Sequence, residues 1–277
     1  GGVIEHFLIN LLLCSVGGTL SVAYVITQLF EKIPVTIKTV APKWSNAKYF
    51  WGCFAVIMLC WVPVFLAYYP GIFAYDVHTQ VTQMNENAYT THHPLLHTLL
   101  LRVFYRTGEA IGSYNLGVVA YVIFQTVLLA MSMSYALLYL YEKGVGKKAR
   151  LVLLLFFALC PVNSILSISV TKDILFAASM LFMIIQILRF VEDENRRTSI
   201  PHNILLFFTG MVTFLLRNNA RYVLIVWTCL WIIYVLRSKW KKIIKVTSIS
   251  LMICVLLAGK LADTAMIKAL DAKDGSI

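Results

Sequence analysis

The sequence predicts an all-α, polytopic transmembrane helical bundle of about eight spans, with an interfacial helix in the first large outer loop. Three observations carry this reading. Of the 277 residues, 60% are hydrophobic and 13% charged, whereas a soluble domain sits near half apolar and a quarter charged. The apolar residues come in long blocks, and an uncharged run of about 18 residues or more reads as a spanning helix. The formal charge of +11 is divided among short loops between those blocks, as the positive-inside rule describes. That charge is therefore assigned to topology, and no nucleic acid is expected as a partner. The six cysteines (Cys14, Cys53, Cys60, Cys160, Cys229, Cys254) lie in or at the ends of apolar segments and form no C-x-x-C pair. They read as small buried hydrophobes.

Residues 3–30 form the first span, with Glu5 and His6 at its outer end and Gly17-Gly18 offering a close-packing spot. The loop 31–48 carries Lys32, Lys38, Lys43 and Lys48 against one acid and belongs to the cytoplasm. The second span, 49–69, runs outward and delivers the segment 68–97, YYPGIFAYDVHTQVTQMNENAYTTHHPLLH, which contains no Lys or Arg. Residues 94–108 are short, apolar on one side, and carry Arg102 and Arg106; they read as a helix along the outer interface. A crossing there would put one of two basic loops on the wrong side. Residues 114–141 span again and end at Lys143, Lys147, Lys148 and Arg150.

The apolar block 151–191 is interrupted by Pro161 and by Thr171-Lys172-Asp173. It reads as two spans, 151–170 and 174–191, joined by a tight outer turn. After a mixed-charge loop, the block 204–235 is broken at Arg217-Asn218-Asn219-Ala220-Arg221 into halves of about 15 residues, below the usual span length. That turn is expected to lie beneath the outer surface, facing protein or a wet cavity. Residues 237–245 carry five Lys/Arg and are cytoplasmic, and a last span, 246–261, sends the tail outside. The chain reads as one transmembrane domain, 1–277. It begins Gly-Gly and ends DAKDGSI, which is expected of a piece of a longer protein with a soluble C-terminal domain beyond it.

The three polar insertions, at Asp76, Asp173 and Arg217 to Arg221, all fall on the outer face that the basic clusters alone define. Polar groups among spans are costly to keep, so these are functional-site candidates. Asp76 lies six residues after Pro70 and shares an i, i+4, i+7 face with Gln80 and Gln83. It is a candidate general base, or else a helix cap. Asp173, with Thr171 as N-cap, suits the first turn of a helix; alternatively it is a metal or substrate ligand, with Lys172 holding an anion. Arg217 and Arg221 suit a phosphate clamp, or snorkelling to headgroups. His93 and His97 are four apart, and with His78, His92 or Asp76 they are candidates for a divalent metal. Asp76, Asp173 and His93 are the metal set, although there is no H-E-x-x-H motif. Otherwise the histidines bond a sugar or phosphate, or lock the loop against the spans. Tyr68, Tyr69, Phe73, Tyr75 and Tyr89 read first as an interfacial belt.

A span, an acid soon after it (Asp76), an HHP segment (His92-His93-Pro94), an interfacial helix, and a second outer acid two spans later (Asp173) occur in that order. This arrangement resembles the GT-C superfamily of membrane glycosyltransferases, which includes protein O-mannosyltransferases, lipid A aminoarabinose transferases and oligosaccharyltransferases. The resemblance covers residues 49–236. It departs from the mannosyltransferases in that Val77, not a second acid, follows Asp76. One extra span also precedes the core, and no soluble outer domain is present. The resemblance implies a bacterial plasma-membrane enzyme with its active site outside. The donor would be a sugar on a polyprenyl phosphate or diphosphate with its tail between spans, and the acceptor a glycan, lipid or protein. Asp76 would deprotonate the acceptor hydroxyl, with inversion at the anomeric carbon. Arg217, Arg221 and Lys172 would hold the leaving phosphate, and Asp173 a metal or the acceptor. The residues also admit a transporter or flippase for a lipid-linked or anionic solute. Against that, the polar groups cluster at one face rather than the midplane, and no inverted repeat is visible.

Overall fold

The computed structural model describes residues 44–275. The expected first span at 3–30, with Gly17-Gly18 and the loop up to residue 43, lies outside the described residues. Eleven helices and one pair of short strands follow in the order α1 (Asn46–Ala67), β1 (Ile72–Phe73), α2 (Tyr75–Glu86), α3 (Leu95–Ala110), α4 (Tyr114–Glu142), α5 (Lys147–Leu159), α6 (Pro161–Ile168), β2 (Ser169–Val170), α7 (Lys172–Glu192), α8 (Glu194–Thr198), α9 (Ile200–Leu216), α10 (Ala220–Arg237) and α11 (Lys242–Ala269).

The architecture is an all-α membrane-embedded bundle. Five helices, α1, α4, α7, α10 and α11, are long and apolar enough to cross a membrane, and the bent pair α5–α6 makes six if counted as one crossing. At 17 residues, α9 is apolar but shorter. The helix α3 is not among the spanning candidates. It begins at Leu95, with Pro94 as its N-cap.

The expected span at 151–170 is broken where Pro161 interrupts it, into α5 and α6, bent by 47°. Cys160 takes extended dihedrals (φ −66°, ψ 118°), because the residue before a proline is pushed out of the helical region. Side chains take up the carbonyls around the break. Asn163 Nδ2 donates to Phe156 O (3.0 Å) and Trp61 Nε1 to Phe157 O (3.2 Å). Irregular backbone inside a bilayer needs such partners. The last helix is also longer than expected, running to Ala269 rather than stopping near 261.

The central element is α4, which packs against α1, α3 and α7; α9 packs on α7 and α11, and α10 on α11. Burial follows from this: 56% of the apolar window of α4 is buried among the described residues, against 17% for α1. Glycines allow α3 to approach α4 closely. A Cβ on Gly117 would stand 2.5 Å from Phe104 O, so only hydrogen fits there. Cys53 is buried as expected, but Cys229 and Cys254 are exposed on α10 and α11, where a thiol is apolar enough to face lipid.

Two polar insertions are joined by the strand pair. β1 and β2 run parallel, with Ile72 opposite Ser169 and Phe73 opposite Val170. Gln125, in the middle of α4, donates to Ser167 O (2.7 Å) and Ser169 O (2.8 Å) and so fixes β2. Gly71 leads into β1 with φ +140°, and a Cβ there would stand 2.7 Å from Val122 Cγ2. Val77, Tyr121, Val122, Ile168, Leu175 and Leu216 form part of the apolar core around this platform.

Candidate functional site

The register of the strand pair sets the first contact. Because the strands are parallel, α2 and α7 begin side by side, each two residues after its strand, at Tyr75 and Lys172. Lys172 Nζ meets Asp76 Oδ2 there in a close ion pair. The N-cap of α2 is Ala74, without a side-chain cap bond, so the Asp76 carboxylate is not spent on capping. His93 Nδ1 lies 4.0 Å from the same oxygen. The Asp76 side chain is 41% exposed, which leaves its carboxylate reachable. The hydrogen bond from Lys172 holds Asp76 below the usual carboxylate range, so it is ionised at neutral pH.

The second contact lies one residue on. Thr171 caps α7 by accepting from the Asp173 N–H (3.4 Å). The Asp173 carboxylate pairs with Arg217 Nη1 at 2.9 Å. The Arg217 guanidinium also sits over the Phe176 ring, 5.7 Å from its centroid. Asn218 Nδ2 then donates to Thr91 O (3.0 Å) and His92 O (3.2 Å). All three polar insertions therefore touch one another. The loop carrying His92 and His93, the start of α7, and the turn between α9 and α10 form one continuous surface at this end of the bundle.

The predicted residues divide by burial. His92 is exposed and packs edge-on against His93, 4.6 Å between centroids. His93 is buried, and burial, reinforced by Lys172, pushes its pKa down, which keeps it neutral. His97 and Gln80 are buried, at 0% and 1% exposure, out of a ligand's reach. Gln80 Nε2 bonds Thr98 Oγ1 (2.8 Å) and His97 Nδ1 (2.9 Å). An amide nitrogen only donates, so Nδ1 accepts and the His97 proton sits on Nε2, directed at Tyr121 OH (2.8 Å). Of the three uses expected for the histidines, His97 takes the locking one: it ties α2 and α3 to α4. Burial holds it neutral, with its pKa pushed down to about 3. His78 is exposed and takes no part in this network.

The expected metal set does not come together. Among the described residues, no three His, Cys, Asp or Glu side chains are grouped as ligands. Asp76 and Asp173 each face a cation instead, and only His93 approaches Asp76. The donor set does not fit a resident divalent metal.

Two cavities flank the charged surface. One is a polar recess of about 530 Å³ lined by Thr91, His92, His93, Asn218, Arg221 and Lys260, among others. Arg221 has no carboxylate partner among the described residues, and its Nε is buried without an acceptor. Lys260 and Asp263 of α11, 3.9 Å apart, were missed in the sequence because they fall at the end of the last apolar block. The continued helical periodicity of 261–269 was the available signal. The segment after α11 closes the recess, with Lys273 N donating to Tyr89 O (2.9 Å) and Thr91 N to Lys273 O (3.0 Å).

The second cavity is an apolar groove of about 460 Å³ between α3, α4, α7 and α9, lined by Leu96, Phe124, Met131, Leu175, Phe208 and Leu216, among others. Its three hydroxyls are turned back on their own helices. Ser132 donates to Leu129 O (2.8 Å), Ser179 to Phe176 O (2.9 Å) and Thr209 to Leu205 O (2.7 Å). The groove is thus chemically hydrocarbon. Its wall reaches the charged surface, because Leu175 follows Asp173 by two residues and Leu216 immediately precedes Arg217.

A protein family described as a family of unknown function (DUF6020) matches residues 85–275, more than half of the chain. The matched stretch holds His92, His93, Lys172, Asp173, Arg217 and Arg221 and begins after Asp76. No curated protein and no solved structure matches the chain.

Proposed function

The chain belongs to the DUF6020 family, and we propose that it is a membrane glycosyltransferase of the GT-C type. It moves a sugar from a polyprenyl-phosphate-linked donor to an acceptor hydroxyl at the outer face of the plasma membrane. One observation carries the reading: two acid–cation pairs, Asp76–Lys172 and Asp173–Arg217, meet the end of a hydrocarbon groove. A ligand with a long apolar tail and a charged, polar head matches that combination. The proposed topology counts eight crossings: the span at 3–30, then α1, α4, the bent pair α5–α6, α7, α9, α10 and α11. The α3 helix lies along the outer interface.

In this reading the polyprenyl chain occupies the groove, and its phosphate lies against Arg217, Arg221 and Lys172. Arg221, which lines the recess and has no carboxylate partner among the described residues, keeps its charge for a phosphate oxygen. The acceptor, a glycan, lipid or protein, presents its hydroxyl to Asp76. The hydroxyl oxygen attacks the anomeric carbon as Asp76 takes its proton. The bond from that carbon to the phosphate oxygen breaks, and the electron pair leaves with the lipid phosphate. The cations stabilise the charge that grows there. Attack opposite the leaving group inverts the anomeric centre. Asp173 orients Arg217, and no metal takes part in any step.

A carrier for a lipid-linked solute would need polar sites along the groove, and its hydroxyls are all turned back on their own helices. The test is release of lipid phosphate in proteoliposomes offered a panel of polyprenyl-phosphate sugars and candidate acceptors. Release that needs both donor and acceptor supports a transferase. Donor binding, or movement across the membrane, without release would replace it by the carrier reading.

A further inference from the structure

The opposite end of the bundle carries a second built recess. α10 runs 18 residues from the candidate site to Arg237, about 27 Å at the helical rise. There a cavity of about 510 Å³ opens between α8, the end of α10 and the start of α11, lined by Glu194, Arg197, Arg237, Lys239, Trp240 and Lys241 together with Tyr234, Ser238 and Ile244. Four cations thus face one carboxylate, and Glu194 is engaged by Lys241 at 3.3 Å. The Arg197 guanidinium lies over the Trp240 ring at 4.6 Å, and its Nη1 donates to Val191 O (3.3 Å). Its Nε is buried and has no acceptor among the described residues. Trp240 is itself fixed by Phe190, Trp231 and Tyr234, with centroids 6.0, 6.1 and 5.7 Å away. The guanidinium plane is therefore held in place, and neither Arg237 nor Lys239 has a carboxylate partner among the described residues.

We propose that this recess binds the phosphodiester headgroup of an anionic phospholipid from the leaflet that borders it. The cations match a phosphate, and a planar guanidinium held on an aromatic ring presents its donors without further ordering. The surroundings select a lipid over a soluble phosphate. Tyr234 and Trp240 are the aromatic types found at headgroup depth. Leu236 and Ile243, on either side of the recess, are 61% and 68% exposed and offer a surface for acyl chains. Basic pockets among membrane helices hold anionic headgroups by this combination. The site is independent of the glycosyltransferase reading and shares no residue with it.

The experiment is native mass spectrometry of the full chain released from nanodiscs of equal phosphatidylglycerol and phosphatidylcholine. The expected result is retained phosphatidylglycerol, which falls about tenfold in the Arg237→Gln/Lys239→Gln double variant. Both side chains are exposed, so the variant keeps its fold. A Lys147→Gln/Lys148→Gln control, equally exposed on another helix, retains the lipid. Equal retention of the two lipids, or equal loss in control and double variant, would overturn the site. Displacement of the lipid by millimolar glycerol 3-phosphate would overturn the assignment to a phospholipid.

Discussion

Asp76 acts as a carboxylate kept ionised by Lys172, and this fixes its pH behaviour. Its pKa lies below the ordinary 3.8, so the paired form is present above that value and is lost only as the pH falls through the lowered pKa. Turnover should show no loss of the base between pH 5 and 8. Replacing Lys172 by Gln removes the main cause of the shift, so the acid limb of the pH–rate profile should move upward. An unmoved limb would show that Lys172 does not set the carboxylate. His97 behaves in the opposite way. It is held neutral at an ordinary value of 6.5 lowered to about 3, so between those values the unfolded chain binds a proton that the folded chain does not. Stability should therefore fall as the pH drops below 6.5, by up to about 1.4 kcal/mol per unit. Buried His93 adds to the same trend. Denaturation at pH 7 and pH 5 measures the slope, and His97→Asn should remove most of it. Asp76 and the histidines were legible as a His-rich loop with one Asp and no Lys or Arg, and Lys172 as part of a second polar insertion. Which histidine would be a ligand and which a lock was not, because that depends on Tyr121, a span residue with no special sequence context.

The strand pair and the α3–α4 contact hold these side chains in place. Gly71 needs its positive φ, and a Cβ there would press on Val122 and on Ile168 O at 3.1 Å. Gly71→Ala should cost about 1–3 kcal/mol and lower turnover with it, since β1 carries Asp76 to Lys172. Gly117→Ala should cost a similar amount, because Phe104 O is backbone and the two helices would have to separate. Thermal unfolding in detergent checks both, and an unchanged midpoint in either would refute the packing argument. The spans at α1, α4 and α7 could be read from their apolar blocks to within a few residues. Pro161 marked where the span at 151–170 breaks, but the 47° bend there could not be read, because hydropathy reports length and not direction. The two-residue strands were equally invisible, since their pairing joins segments nearly a hundred residues apart and carries no periodicity.

At the scale of the molecule, hydropathy and basic loops already gathered the polar insertions at one end of the bundle. The contacts between them, and the groove beneath, arise from helix packing that no linear pattern encodes. The groove supplies a steric prediction. Ser179 lines it and donates only to its own helix, so Ser179→Trp should fill the space and abolish donor binding while leaving the fold intact. Cross-linking of a photoreactive polyprenyl phosphate reads this directly. The most direct measurement is single-turnover release of lipid phosphate from bound donor, comparing wild type with Asp76→Asn. The expected result is a loss of about 10²-fold or more in rate, with donor affinity retained. Equal rates in the two proteins would contradict the role of Asp76 and, with it, the mechanism proposed for this site.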